Sequence, residues 1–455
     1  MDANSIIHKP KRKKLNQEQG IDGKRKCFGN LPEDVLRLIL SFLPIKDAVR
    51  TSVLSRRWEL FWTSNPNLNF GEPLPGTETL LMKFVERVLY LRDSSDIKEF
   101  VINFDEKCDA SRVKSWITAA VRRNVQILSL CLWDLRGHFS LPRCVFSCET
   151  LRILNLEIPC VLRIPPIICF SNLKILNFTD VTFSDCYTTQ QLFSGLPVLE
   201  MLCLDECKWG CLKVLSISAP KLSSLTIIED DLQNPTDSDC CQVTIFGASL
   251  NEFLYTGKFF DEYWLYNSFS LERVEIYVSY SDERARQVAY RMFKVLTGLP
   301  NVKDLKLEGS GIEVLTYAAE LLPNMPIFNN LMYLELASLS LDCAAVLKIL
   351  QNSPCLRTLN FVEINCGNDD IILDPVPPCF FSDLKSIKVI RSSGDNEELS
   401  VLKILLKNAL VLDEITITCS KHFAMDLKKQ KNFYEQMIKL PKGSQNCKIF
   451  LKCFP

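Results

Sequence analysis

The sequence predicts an α/β solenoid: a curved parallel sheet of short strands with helices on its outer face, preceded by a small three-helix module. Three observations predict it. An apolar triplet at positions one, four and six of a short segment recurs along most of the 455 residues. A shared helix-stop junction links helical patterns to the triplets that follow them, and a compact amphipathic stretch precedes the first unit. Composition permits such a fold, since 47% of residues are hydrophobic and 24% charged, an ordinary globular balance.

Residues 1–26 stand apart from this pattern. Lys9, Lys11, Arg12, Lys13 and Lys14 are followed by Lys24, Arg25 and Lys26 in a stretch poor in apolar residues, which predicts a disordered basic tail. Two basic clusters with a short polar spacer suit the acidic grooves of a nuclear import receptor, so Lys11, Arg12, Lys13, Lys14, Lys24, Arg25 and Lys26 are the candidate import signal. The expected location is the nucleus, the cytoplasm or both. Neither the apolar core of a signal peptide nor the roughly 18 uninterrupted apolar residues of a membrane span is found, so no membrane partner is expected. With 53 Lys+Arg against 54 Asp+Glu the net charge is −1, and no overall field gathers nucleic acid. The 20 cysteines are scattered without a secretory signal, and reduced thiols acting as small apolar side chains are expected.

The module occupies residues 27–72. Pro32 followed by Glu33 and Asp34 reads as a helix start, with negative charge at the positive end of the dipole. Leu36, Ile39, Leu40 and Leu43 then fall at helical spacing as one apolar stripe, and Pro44 ends the element. Lys46 to Trp58 continues with Val49, Val53, Leu54 and the run Ser55-Arg56-Arg57-Trp58. A segment this short cannot bury all of its leucines, isoleucines and tryptophans internally, so part of that surface meets a partner or caps the edge of the solenoid. Residues 28–62 resemble an F-box: the Leu-Pro opening, the Ile-Leu-Ser-Phe-Leu-Pro close of the first helix, and Ser-Arg-Arg-Trp all match. The resemblance implies docking on a Skp-type adaptor and, through it, on a cullin. It points to Leu31, Pro32, Leu36, Ile39, Leu40, Leu43, Val49, Val53, Leu54 and Trp58 as the adaptor-binding set, some of which must form the module's own core.

The repeat occupies residues 73–373 and continues beyond. Its first positions are Ile97, Val125, Leu151, Leu173, Leu199, Leu222, Leu250, Leu271, Val302, Leu331, Leu356, Leu384 and Leu412. The mean spacing of about 26 residues lies within the roughly 20–29 of leucine-rich repeats. Each unit is too small to bury its own apolar face, so the inward residues of one strand must stack on those of the next. Helical patterns at Ser111–Arg123, Asp282–Thr297 and Ala344–Asn352 supply an outer cover. The junctions Gly195-Leu-Pro197, Gly298-Leu-Pro300 and Asn352-Ser-Pro354 predict a left-handed residue closing each helix, with the proline barring its continuation. At the ninth position Cys207 fits the ladder-forming role of the common repeat, whereas Pro159, Val181 and Ile364 do not. An irregular solenoid is expected.

Residues 374–453 carry Val376-Pro-Pro-Cys379-Phe, Leu384-Lys-Ser-Ile387, Glu397-Glu-Leu399, Leu406-Lys-Asn408-Ala409-Leu-Val-Leu412 and Ser444-Gln-Asn-Cys447-Lys-Ile449. These resemble the plant FBD domain. The order of the three regions is similar to that of plant F-box/FBD/leucine-rich-repeat proteins. That resemblance implies a substrate-recognition subunit of an SCF-type (Skp–cullin–F-box) E3 ubiquitin ligase, which binds the adaptor at one end and a target protein along the repeats.

Nothing in the residues points to catalysis. His8, His138 and His422 have no neighbours that resemble a nucleophile and base. No paired Cys-x-x-Cys motif suggests zinc; Cys203, Cys207 and Cys211, spaced by four, belong partly to a repeat strand and its turn. Gly309-Ser-Gly311 is too short for a phosphate loop. The expectation is a non-catalytic subunit without metal or cofactor.

Side chains alternate across a strand, so the residues between the inward leucines face the open surface of the sheet. Arg273, Glu275 and Tyr277, then Asp304, Lys306 and Glu308, then Tyr333 and Glu335 form a mixed-charge patch there, the candidate target-binding surface. Two other readings remain at this point. One is a plain repeat scaffold. The other is a small-molecule co-receptor, for which the aromatic stretch Tyr255–Tyr266 is the nearest candidate pocket.

Overall fold

All thirteen apolar triplets become strands of one parallel sheet. In the computed structural model the described residues are 31–71, 78–104, 108–136, 139–229, 240–339, 343–364 and 373–453. The basic tail, with its candidate import residues, lies outside them. Every first-position residue from Ile97 to Leu412 is buried, and so are the fourth and sixth, such as Val274 and Ile276 or Leu334 and Leu336. Register explains why one repeat cannot stand alone. Val274 lies opposite Leu305, Leu305 opposite Leu334 and Leu334 opposite Leu359. Neighbouring strands lie about 4.8 Å apart, so each inward leucine packs on its counterparts on both sides. Burial of such a side chain contributes about 1.5–3 kcal/mol, a gain each unit realises only with a neighbour present.

The sheet among the described residues has fifteen strands, two more than the triplets mark. The extra ones are Asn67–Asn69 at the start and Lys448–Lys452 at the end. Both lack a leucine at the first position. At the start that position holds Asn65, which is buried; its Nδ2 donates to the Leu40 carbonyl at 3.1 Å, and its Oδ1 accepts from the Asn67 amide at 3.0 Å. The repeat's opening site has been converted into a polar clamp on the module's first helix. Arg92, also buried, adds to that clamp by donating to the Asn65 carbonyl and, at 2.8 Å, to that of Asp96.

Helices cover the outer face at Ala110–Val121, Ala285–Thr297 and Ala344–Gln351, matching the helical patterns closely. Between Cys186–Ser194 and Ala285–Thr297, however, the cover is a second parallel sheet of three strands: Val214–Ile217, Gln242–Phe246 and Glu262–Tyr266. Its members alternate apolar and polar residues at period two, as in Val243 and Ile245 or Tyr263 and Leu265, which favours strand over helix.

The helix-stop junctions depart from expectation. Gly195, Gly298 and Asn352 have φ of −100°, −84° and −91°, so none is left-handed. Each helix ends in a turn instead; the Gly298 amide, for example, donates to the Val295 carbonyl at 2.9 Å. Glycine at 298 serves close approach, because a Cβ there would lie 2.8 Å from that of Leu265. Asn352 acts through its side chain, which donates to the carbonyls of Met325 at 2.7 Å and Pro326 at 3.1 Å.

Two cysteine expectations are resolved. The Cys207 thiol reaches the Phe178 carbonyl of the preceding unit at 3.4 Å, the ladder role assigned to the ninth position. Cys419 and Cys453 are bonded to each other, contrary to the expectation of thiols throughout. Strand pairing is the cause: Thr418 lies opposite Lys452, which sets the next residue on each strand side by side.

Candidate functional site

The amino-terminal module is built from α1 (Glu33–Ser41), α2 (Ile45–Arg50) and two short 3-10 segments, Thr51–Val53 and Phe61–Ser64. The third helical element is thus 3-10 rather than α. Pro32 and Pro44 stand immediately ahead of the two helices, and Glu33 and Asp34 occupy the first turn of α1. The Arg57 guanidinium returns to the Leu31 carbonyl at 2.5 Å and closes the module.

Burial sorts the predicted adaptor-binding residues. Leu36, Leu40 and Trp58 are core, packed with Ile45, Ala48, Phe61 and Trp62, so their assignment to the adaptor face is corrected. Leu31, Leu43 and Val49 are half-buried against that core, Ile39 is half-buried, and Pro32, Val53 and Leu54 are exposed. Sequence reasoning missed a second stripe on α1. Val35, Leu38 and Phe42 fall at i, i+3 and i+7 and point away from the core. Leu38 is 57% exposed, Phe42 79%, Val53 85%, Leu54 67% and Leu60 70%. A weaker stripe beside a stronger one is hard to see in sequence, because both are simply apolar at helical spacing.

The second surface is the open face of the sheet. Arg273, Asp304 and Tyr333 occupy one register row, Glu275, Lys306, Glu335 and Asn360 a second, and Tyr277 and Glu308 a third. The structure therefore brings together every residue of the predicted target-binding patch. Lys306 contacts Glu275 at 3.5 Å and Arg273 contacts Glu252 at 3.1 Å. The Tyr333 hydroxyl donates to Glu335 and accepts from Asn360 Nδ2, the latter at 2.5 Å. Glu252 and Asn360, absent from the predicted patch, belong to it by register. The mutual field is visible in the titration behaviour. Burial, then Glu275 and Glu335, push the Glu308 carboxyl above its usual range. Burial opposes the charge on Lys306, but Glu275 and Glu335 outweigh it and hold its pKa up.

The aromatic stretch Tyr255–Tyr266 is not a pocket. Tyr255, Phe259 and Tyr263 are buried, Phe259 stacked on Tyr255 and Tyr263 packed against both at an angle. Glu229 anchors them by accepting from the hydroxyls of Tyr255 and Tyr263, at 2.7 and 3.1 Å, and from the Phe260 amide at 2.9 Å. Among the described residues no group of three or more His, Cys, Asp or Glu is placed to hold a metal ion, and no helix is long and apolar enough to cross a membrane.

Comparison with known proteins agrees with this architecture. The F-box domain profile matches residues 28–70, the FBD profile 374–417, and the profile described as FBD-associated F-box protein At5g56370, LRR repeats, 113–244. The F-box/LRR-repeat protein At4g14103 of Arabidopsis thaliana is 30% identical over 75% of this chain and 92% of its own length. Two others from that plant, the F-box/FBD/LRR-repeat proteins At5g22660 and At5g56420, are 29% and 26% identical. They cover 87% and 93% of this chain and 90% and 98% of their own lengths. With its module clamped to a fifteen-stranded repeat sheet that runs on through the FBD segment, the chain belongs to the plant F-box/FBD/leucine-rich-repeat protein family.

Proposed function

We propose that the chain is the non-catalytic substrate-recognition subunit of an SCF-type E3 ubiquitin ligase, with the module docking on a Skp-type adaptor and, through it, a cullin, and the repeat sheet binding a target protein. The carrying observation is the apolar surface that the module leaves uncovered although its core is complete. Leu38, Phe42, Val53, Leu54 and Leu60 are all more than half exposed within about 25 residues. Monomeric proteins seldom leave such a concentration in water unless a partner covers it. The polar clamp of Asn65 and Arg92 joins the module to the first strand, so an adaptor held at one end would keep the sheet at a set distance and angle.

The basic clusters Lys11–Lys14 and Lys24–Lys26 would carry the assembly into the nucleus. The test is co-purification of the full chain with a Skp-type adaptor and cullin, followed by ubiquitylation of co-purified proteins in the presence of ubiquitin and its activating and conjugating enzymes. Adaptor capture with target ubiquitylation is expected. A full-length, folded chain that captures no adaptor refutes the reading.

A further inference from the structure

The open face carries acceptors that have no donor. Asn360 is only 6% exposed, and its Nδ2 donates to Glu335 Oε2 at 3.2 Å as well as to the Tyr333 hydroxyl. A carboxylate only accepts, which fixes the orientation of the amide and leaves Oδ1 as the other end. That oxygen is buried and unpartnered. Across Tyr333 in the register, Asp304 Oδ1 is likewise buried without a partner. Asp304 and Tyr333 also line a cleft of about 480 Å³ with Glu252, Glu272, Arg273 and Lys303. A buried acceptor without a donor costs about 1–3 kcal/mol.

The cations of this region are already engaged. Lys306 holds Glu275, Arg273 holds Glu252 and Lys303 holds Glu272. Asp304, Glu308 and Glu335 are left without a cationic partner among these pairs. Burial, opposed in part by Lys306 and Arg273, pushes the Asp304 carboxyl up, and Glu335 and Glu275 add to the rise. What the face lacks is a donor that brings positive charge. A single metal ion does not fit the need, because strands about 4.8 Å apart spread these oxygens instead of converging them.

We propose that the open face from Glu275 to Asn360 binds a basic segment of a partner protein, one Lys or Arg side chain entering beside Tyr333 to donate to Asp304 and Asn360. The proposal rests on the target-binding reading above and supplies the target's chemistry. The half-buried Tyr333 phenol covers the amide and moves aside as the cation enters. An arginine suits the site best, since its planar fork offers several donors at once.

The test uses the full chain and a fluorescein-labelled decapeptide of alternating arginine and serine, with a glutamate–serine decapeptide as comparison, read by fluorescence anisotropy. The arginine peptide is expected to bind and the glutamate peptide not. The double variant Glu308→Lys/Glu335→Lys weakens binding by about tenfold or more, and Asn360→Leu weakens it as well. Glu149→Lys/Glu435→Lys makes the same net charge change at exposed positions elsewhere and leaves binding within about twofold. Failure of the arginine peptide to bind, or an equal loss in this last variant, overturns the proposal. Adaptor capture by the same preparations reads the receptor role separately. Capture retained with peptide binding lost refutes the basic-segment proposal alone, and peptide binding without capture refutes the receptor reading alone.

Discussion

Leu36 and Leu38 lie two residues apart in one helix, and replacing them should damage different properties. Leu36 has no exposed surface, so Leu36→Ala opens a cavity in the module's core. Such truncations cost about 2–5 kcal/mol, a large share of the stability a small module can have. Leu38→Asp with Phe42→Asp removes no core contact, and exposed substitutions of this kind change stability by about 0.5 kcal/mol or less. Their effect belongs to the complex. A phenylalanine side chain offers roughly 150–250 Å², and Phe42 is 79% exposed. Covering about 120–200 Å² at 25 cal/mol per Å² is worth at most about 3–5 kcal/mol. Interfaces return less than their area suggests, so a loss of about 2 kcal/mol, or roughly thirtyfold in affinity, is expected from Phe42 alone. Isothermal titration of the full chain with a Skp-type adaptor measures the affinity, and amide hydrogen exchange of residues 33–41, followed as the temperature rises, reads the melting of the module through α1. The reasoning fails if the Leu38/Phe42 variant binds as wild type, or if Leu36→Ala leaves the module's melting unchanged.

Two further outcomes follow from buried carboxylates. Glu398 is buried and accepts from Ser392 Oγ at 2.5 Å, the Ser393 amide at 2.7 Å, Ser393 Oγ at 2.9 Å and the Gly394 amide at 2.9 Å. Glu398→Ala strands these donors and should cost about 3 kcal/mol; limited proteolysis should then cut the carboxyl-terminal unit first, and wild-type resistance in the variant would contradict the assignment. Asp261 is raised to about 7, by burial first and the Glu229 charge second. A carboxyl raised in the folded state stabilises fully below its unfolded value of about 4 and loses that contribution as pH climbs through 7. The melting temperature should therefore fall between pH 5 and pH 8. Asp261→Asn, which can still accept from the Cys241 amide, should flatten that fall, whereas a parallel decline in both proteins would exclude Asp261 as its source.

Periodicity determined the backbone of this protein because the inward positions obey a rule local to each unit. A strand whose first, fourth and sixth residues are leucine or its equivalents has one way to hide them, and thirteen such strands have one way to stack. The mixed-charge face was legible for the same reason, since alternation along each strand assigns its outward residues. Three things required the tertiary structure. The division of the module's apolar residues into core and surface depends on how Trp58, Phe61 and Trp62 fold back over α1, a non-local event. The terminal strands escaped because asparagine, Asn65 or Asn446, stands at the first position where the other units carry an aliphatic residue, and at the first edge Asn65 spends that position on a clamp instead of a core. The unpartnered oxygens of Asp304 and Asn360 exist only across strands, where separate repeats bring their side chains around Tyr333. A motif is a property of one segment, and the sequence displays it; an unmet hydrogen bond is a property of neighbours, and only folding decides who the neighbours are.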